Sequence, residues 1–166
     1  FESLAFSNED SNRNELYKQN TIRSEHQKQF VNLNEFLSDL NMESEVGQVN
    51  EQNLSRFAQL INKSNQFHLT TTRYTEAEVK SMINDKMTIV RYFCLKDRFG
   101  DNGLISALII KLQPELFYID TWVMSCRVFS RGMEEFICSE IISMAKWAKT
   151  KFIRGKYIPS KKNKLV

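Results

Sequence analysis

The stretch LFYIDTWVMSCRVFSRGMEE, residues 116–135, changes period part-way along. Its first nine residues are aromatic, β-branched and apolar, the composition of a strand. From Arg131 the run RGMEEFICSEIISMAKWAKTK puts Met133, Phe136, Ile137, Ile141, Met144, Ala145 and Ala148 on one face of a helix. Two earlier runs, MTIVRYFCLKD (87–97) and GLISALIIKL (103–112), also read as strands. The short links RFGDNG and QPE make an antiparallel meander the economical connection. KFIRGKYI then supplies a further strand after the helix. Helices, antiparallel strands, one long helix and a strand give an α+β chain. Its sheet is mixed and mainly antiparallel, flanked by helices, without the repeated βα units of a doubly wound fold.

Towards the N-terminus the chain is more polar. Residues 1–40 read as helical, with Ser7 and Asp10 spaced as a capping box and Asn34 as the cap of NEFLSDL. We divide the chain into an N-terminal helical segment or linker, 1–41, and a main domain, 42–166. In the main domain MESEVGQV alternates weakly as a first strand, and Asn50 is placed to cap EQNLSRFAQLINKS. NQFHLTTTRY is a polar loop or short strand, and Thr75 with Glu78 forms a capping box for EAEVKSMIND.

A chain of 166 residues, 42% hydrophobic with 12 Phe, can bury one ordinary core. No apolar run reaches the roughly 18 residues of a membrane span. Phe1 is not Met and no signal-peptide layout follows, so the expectation is a piece of a soluble protein. A net charge of +3 is mild. The cluster Lys161, Lys162 and Lys164 is either a solvated tail or an attraction for an acidic partner. No RNP motif, zinc-finger spacing or basic helix points to nucleic acid. Cys94, Cys126 and Cys138 form no paired spacing, which suits a reducing cytoplasm. With only His26 and His68, and no CxxC or HExxH, no metal site is expected.

The element order, with RGMEE at the strand-to-helix turn and KKN after the next strand, resembles the GNAT (acyl-CoA N-acyltransferase) fold. That fold caps its helix with a Q/R-x-x-G-x-G/A loop whose backbone amides grip a pyrophosphate. An Asn follows the next strand. The wording NKSNQFHLTTTRYTEAEV, DRFGDNGLIS, IDTWVMSCRVFSRGMEE and YIPSKKN resembles, more closely, the C-terminal half of FkbH-like proteins. SNEDSNRNELY near the start fits as well. The resemblance implies an N-terminal haloacid-dehalogenase (HAD)-type domain as partner. It also implies a reaction that takes a glyceryl unit from 1,3-bisphosphoglycerate and loads it onto an acyl carrier protein. The product feeds polyketide pathways, for example towards methoxymalonyl units. The Asp-x-Asp-x-Thr signature of the first domain is absent from these 166 residues, so phosphate chemistry is not expected of them. KNKLV stands where a GNAT would begin its last helix, so more chain is expected beyond it.

Arg131 and Gly132 are the candidate phosphate contacts, through amides at a helix start. Against the GNAT loop, Phe129 stands for Gln or Arg and Glu134 for a small residue. Glu134 and Glu135 satisfy the helix dipole and repel a pyrophosphate. That weighs against CoA or acetyl-CoA and leaves room for the single phosphate of a carrier's phosphopantetheine. Cys126, beside Arg127, is either a nucleophilic thiol that accepts the acyl group or a small packed side chain; Cys94 and Cys138 are expected in the core. Asp120 should share a strand face with Tyr118 and Trp122, opposite Phe117, Ile119, Thr121 and Val123. It is a candidate general base, although a structural pairing with Arg127 or Arg131 is the expected role. Asn65, Gln66 and Arg73 either line an acyl or pantetheine slot or brace their loop. His68 departs from the family wording NQFN and is not expected to act as a base. Asp97 and Arg98 should pair with each other or with another domain. Asn163, after a strand, is either a groove residue near the pantetheine or part of a tail.

Overall fold

The computed structural model describes residues 8–164 and 166, with side chains from residue 14 onward. The expected capping box at Ser7 and Asp10 lies outside the described residues. Two units are distinguished: residues 1–44 with 95–103, and residues 45–94 with 104–166.

In the first unit, α1 (Asn8–Gln27) and α2 (Leu33–Asp39) precede the hairpin tip. The cap of α2 is Asn32, two residues earlier than expected, whose side chain accepts the Asn34 amide; Asn34 is itself inside the helix. Arg23 clamps Asp97 through two bonds of 2.7 and 2.9 Å, both groups buried. Arg98 goes instead to Asp39, which also meets His26 Nε2 at 2.6 Å. Asp97 and Arg98 therefore do not pair with each other. Two like-placed residues of a tight turn point to different partners.

In the second unit, α3 (Leu54–Lys63) starts at Asn53 rather than Asn50. Asn50 caps the preceding turn, accepting the amides of Gln52 and Asn53. Thr75 and Glu78 form the expected capping box of α4 (Glu76–Asn84). Leu54, Phe57, Ala58 and Ile61 of α3 and Val79 of α4 pack with Val90, Ala107, Ile109 and Val123 of the sheet. A longer helix, α5 (Met133–Trp147), buries Met133, Ile137, Ile141 and Ala145, while Phe136 meets Phe93 edge-on at 6.3 Å.

The sheet contains β1 (Glu43–Gln48), β2 (Phe67–His68), β3 (Thr88–Asp97), β4 (Gly100–Gln113), β5 (Leu116–Met124) and β6 (Phe152–Gly155). Its order is β1-β3-β4-β5-β2, with β6 also on β5. β4 and β5 are antiparallel and β6 runs parallel to β5. Gly47 leaves room for Tyr92: a Cβ there would lie 2.3 Å from the end of the Tyr92 ring, so a side chain would have to displace the aromatic that covers the strand. Cys138 is exposed and Cys94 half-buried, so neither is the core thiol expected from its pattern. Each occupies a position at the margin of its element's apolar face.

Candidate functional site

One edge of β5 is shared by two strands running in opposite directions. β6 pairs with Leu116–Ile119, and β2 pairs antiparallel with Val123 and Met124. Between these ladders the Leu69 amide donates to the Trp122 carbonyl at 3.2 Å. Ile158 in turn donates to Leu69 O at 2.9 Å, so residues 67–69 lie between β5 and the chain leaving β6.

Asp120 sits at the gap. Register with β4 slips between Ile109, opposite Thr121, and Ile110, opposite Ile119, which leaves Asp120 as the extra residue of a β-bulge. The bulge breaks simple alternation: Thr121 Oγ1 donates to Asp120 Oδ2 at 3.0 Å, so the two neighbours share a side instead of facing opposite ways. The Tyr74 hydroxyl donates to the same oxygen at 2.7 Å and Lys111 Nζ lies 2.6 Å from Oδ1. The expected arginine partners are thus replaced by Lys111 and Tyr74. Burial works against the Asp120 charge, but Lys111, Tyr74 and Thr121 outweigh it and hold the carboxyl below its ordinary range. Burial and then Asp120 push the Tyr74 phenol up. A carboxylate with three donors is a weak proton acceptor and a good brace.

Beyond Met124 the chain enters a short 3-10 turn, Cys126–Val128, and then the start of α5. Cys126 is exposed. Arg127 Nε donates to Ser125 Oγ, and Arg131, buried, donates to the Arg127 carbonyl at 2.6 Å. Gly132 holds the N-cap position in a left-handed conformation, φ 75°, with no side-chain cap. A Cβ built there would meet nothing within 4 Å, so the space beside the Gly132 α-carbon is open. Ser130 is also left-handed, φ 61°, and the two positive φ values shape the loop.

Phe67 pairs with Met124, so Asn65 and Gln66 lie beyond the same end of the ladder as Ser125 and Cys126. Phe67 packs on Trp122 at 5.0 Å and Phe129 at 6.2 Å between centroids. Gln66 is exposed and Asn65 half-buried. Arg73 binds Asn65 Oδ1 and the carbonyls of Ile61 and Ser64, so it braces the loop that presents Asn65. His68 is fully buried; its Nδ1 accepts the Thr71 amide at 3.1 Å and its Nε2 meets the Thr72 carbonyl at 3.0 Å. Burial, then Arg73, push its pKa down to about 4, so the ring is neutral and both nitrogens are engaged. Asn163 is also fully buried. Its amide nitrogen donates to His68 O and Ile158 O, and its Oδ1 accepts from Ser160 N and Oγ. The tertiary structure therefore sets Asn65, Gln66 and Cys126 beyond one end of the β2–β5 ladder, and Arg131 and Gly132 follow Cys126 in the same loop. It sets Asp120 and Asn163 further back, in internal networks. Tyr74, Lys111 and Trp122 were not singled out from sequence as partners; Trp122 Nε1 is buried without a hydrogen-bond partner among the described residues.

Solved structures share this architecture. An aminoglycoside 6'-N-acetyltransferase from Acinetobacter haemolyticus superposes with TM-score 0.55 at 12% identity, covering 70% of this chain and 81% of that one. An acetyltransferase from Trypanosoma brucei gives 0.52 at 14%, covering 72% and 85%. The fold is that of the GNAT acyltransferases. The ribosomal-protein-S18-alanine N-acetyltransferase of Escherichia coli overlaps more loosely, with TM-score 0.47 and 8% identity over 64% of this chain; the chain spans 61% of that protein's length. No family model and no curated protein matches the sequence.

Against a GNAT fold the residues fit one phosphate better than two. The uncapped start of α5 and the clear space at Gly132 suit an anion. Glu134 and Glu135 in the same turn oppose a larger negative charge. Part of the β5 edge is already taken by residues 67–69. Among the described residues no three His, Cys, Asp or Glu side chains group as metal ligands.

Proposed function

We propose that this chain is the GNAT-type part of an FkbH-like protein and receives the phosphopantetheine arm of an acyl carrier protein during glyceryl transfer. The observation that carries the reading is the start of α5 at Gly132, which has no side-chain cap and open space at its α-carbon, with the exposed Cys126 six residues before it. The four sequence motifs that resemble FkbH-like proteins supply the acyl group and the carrier.

In this reading the amides at Gly132 and Met133 hold the arm's phosphate. Asn65 and Gln66 offer amide groups to its amide-bearing stem or to a glyceryl hydroxyl. Arg73 keeps Asn65 in place, and Arg131, turned inward onto the Arg127 carbonyl, positions the loop. Asp120 braces β5 where its two edge strands part. Cys126 is the accessible thiol of the site. Loading at full rate by the whole protein with Cys126→Ala would remove it as an acyl acceptor and leave docking as the domain's role.

A second reading, a CoA-dependent N-acyltransferase, draws on the names of the two well-superposed structures. Titration with holo acyl carrier protein, apo carrier and acetyl-CoA separates the two by thermal shift and amide resonances. Response to holo carrier alone supports the first. Tight acetyl-CoA binding without a carrier response supports the second, and Glu134→Gly should then leave it intact or improve it. If holo carrier has no effect, the carrier reading is lost.

A further inference from the structure

A polar hollow lies at the other end of the sheet from Cys126 and Gly132. Gln48 and Val49 at the end of β1, Ile83 in α4 and Thr88–Arg91 of β3 line a cavity of about 180 Å³. β3 and β5 both run antiparallel to β4, so the start of β3 lies at the end where β5 begins. Cys126 and Gly132 follow the opposite end of β5.

Arg91 is half-buried in this wall. Its one bond is a long one, from Nη1 to the carbonyl of its own neighbour Val90 at 3.3 Å, and no carboxylate among the described residues pairs with it. Asp85, close in the chain, is already committed: one oxygen accepts the Met87 amide and the other the Thr88 hydroxyl. Partial burial lowers the Arg91 pKa, and no Arg91 nitrogen is both buried and unbonded, so its spare donors face solvent. The buried Arg23, by contrast, is matched in full by Asp97. A half-buried guanidinium with open donors, in the wall of a cavity, is placed to take an anion.

We propose that this cavity binds a small organic carboxylate, anchored by Arg91. The guanidinium fork matches two carboxylate oxygens. Gln48 adds an amide at the mouth, and Val49 and Ile83 face the short apolar stem. A monoanion balances the single cation, whereas a phosphate monoester carries about −1.5 to −2 near pH 7 and would leave charge over. The site does not depend on the acyl-transfer reading and lies apart from it.

The test is a ¹⁵N titration of the whole chain with butyrate, inorganic phosphate and chloride at matched ionic strength. Expected are saturable butyrate shifts centred on residues 48–49, 83 and 88–91. Affinity should fall about tenfold or more in Arg91→Gln, with partial retention in Arg91→Lys, which keeps the charge without the fork. Should Arg91→Gln fail to fold, Arg91→Lys and Gln48→Ala carry the comparison, each expected to weaken butyrate. Shifts equal to those of chloride, affinity unchanged in the variants, or phosphate binding more tightly than butyrate would overturn the proposal.

Discussion

Along its β4 edge, β5 runs through eight register pairs with one slip; along its other edge, it is divided between four residues of β6 and two of β2. The first edge is held by buried aliphatic side chains such as Ala107, Leu108 and Ile109. The second is held by the short β6 and β2 ladders and by single bonds from Leu69 and Thr70, with Ile158 and Asn163 bonded in turn to residues 68–69. The difference separates scaffold from site. A continuous ladder backed by apolar packing fixes where β5 runs, and the interrupted edge, freed from that duty, presents Asn65, Gln66 and Cys126 together.

The contrast is broken most severely from the regular side. Leu108, fully buried opposite Trp122, should cost about 4 kcal/mol as Leu108→Ala, read by urea unfolding. A loss under about 1 kcal/mol would mean that the β4 edge is not the scaffold described.

On the irregular side the largest effect should come from pH. His68 is neutral when folded, with its pKa lowered to about 4 from an ordinary 6.5. Above 6.5 the ring is neutral in both states and adds no pH dependence. Below it the unfolded chain takes up the proton first, so stability falls by at most about 3 kcal/mol as pH approaches 4, then levels. His68→Asn should remove that part of the slope; an unchanged slope would assign it to other groups.

Asn163→Ala deletes four bonds, three within the 158–163 turn and one from that turn to the His68 carbonyl of β2, and should cost about 2 kcal/mol. Hydrogen exchange at Leu69 and Ile158 should rise with it, while the β4–β5 amides stay protected. Uniform loss of protection would show that the two edges open as one. Smallest is Cys126→Ala: an exposed thiol in a short turn should change stability by no more than about 0.5 kcal/mol, and a larger loss would make it a packing residue.

Much of the scaffold was legible in the chain. The strand runs, the Thr75–Glu78 box and the helical face from Met133 to Ala145 all follow from local periodicity and capping, and each appears where its pattern places it. Caps were less legible where asparagines crowd: Asn32, not Asn34, caps α2, and Asn53, not Asn50, starts α3, because several asparagines within three residues can all reach a free amide. The site was legible only in its residue types. Nothing in IDTWVM marks the bulge that turns Asp120 towards Tyr74, 46 residues away, or brings in Lys111 from β4.

The sequence by itself determined the α+β class, the order of the elements and most of the faces that are buried. Those depend on interactions between residues three or four apart on a helix, or alternating along a strand. Only the tertiary structure decided which polar groups meet. It set Asn65 and Gln66 beyond the same ladder end as Cys126, spent Asn163 and His68 on internal bonds, and left Arg91 with a cavity instead of a carboxylate. Such partnerships are between side chains far apart in the chain, and they exist only once strand register and the packing of the sheet have been fixed.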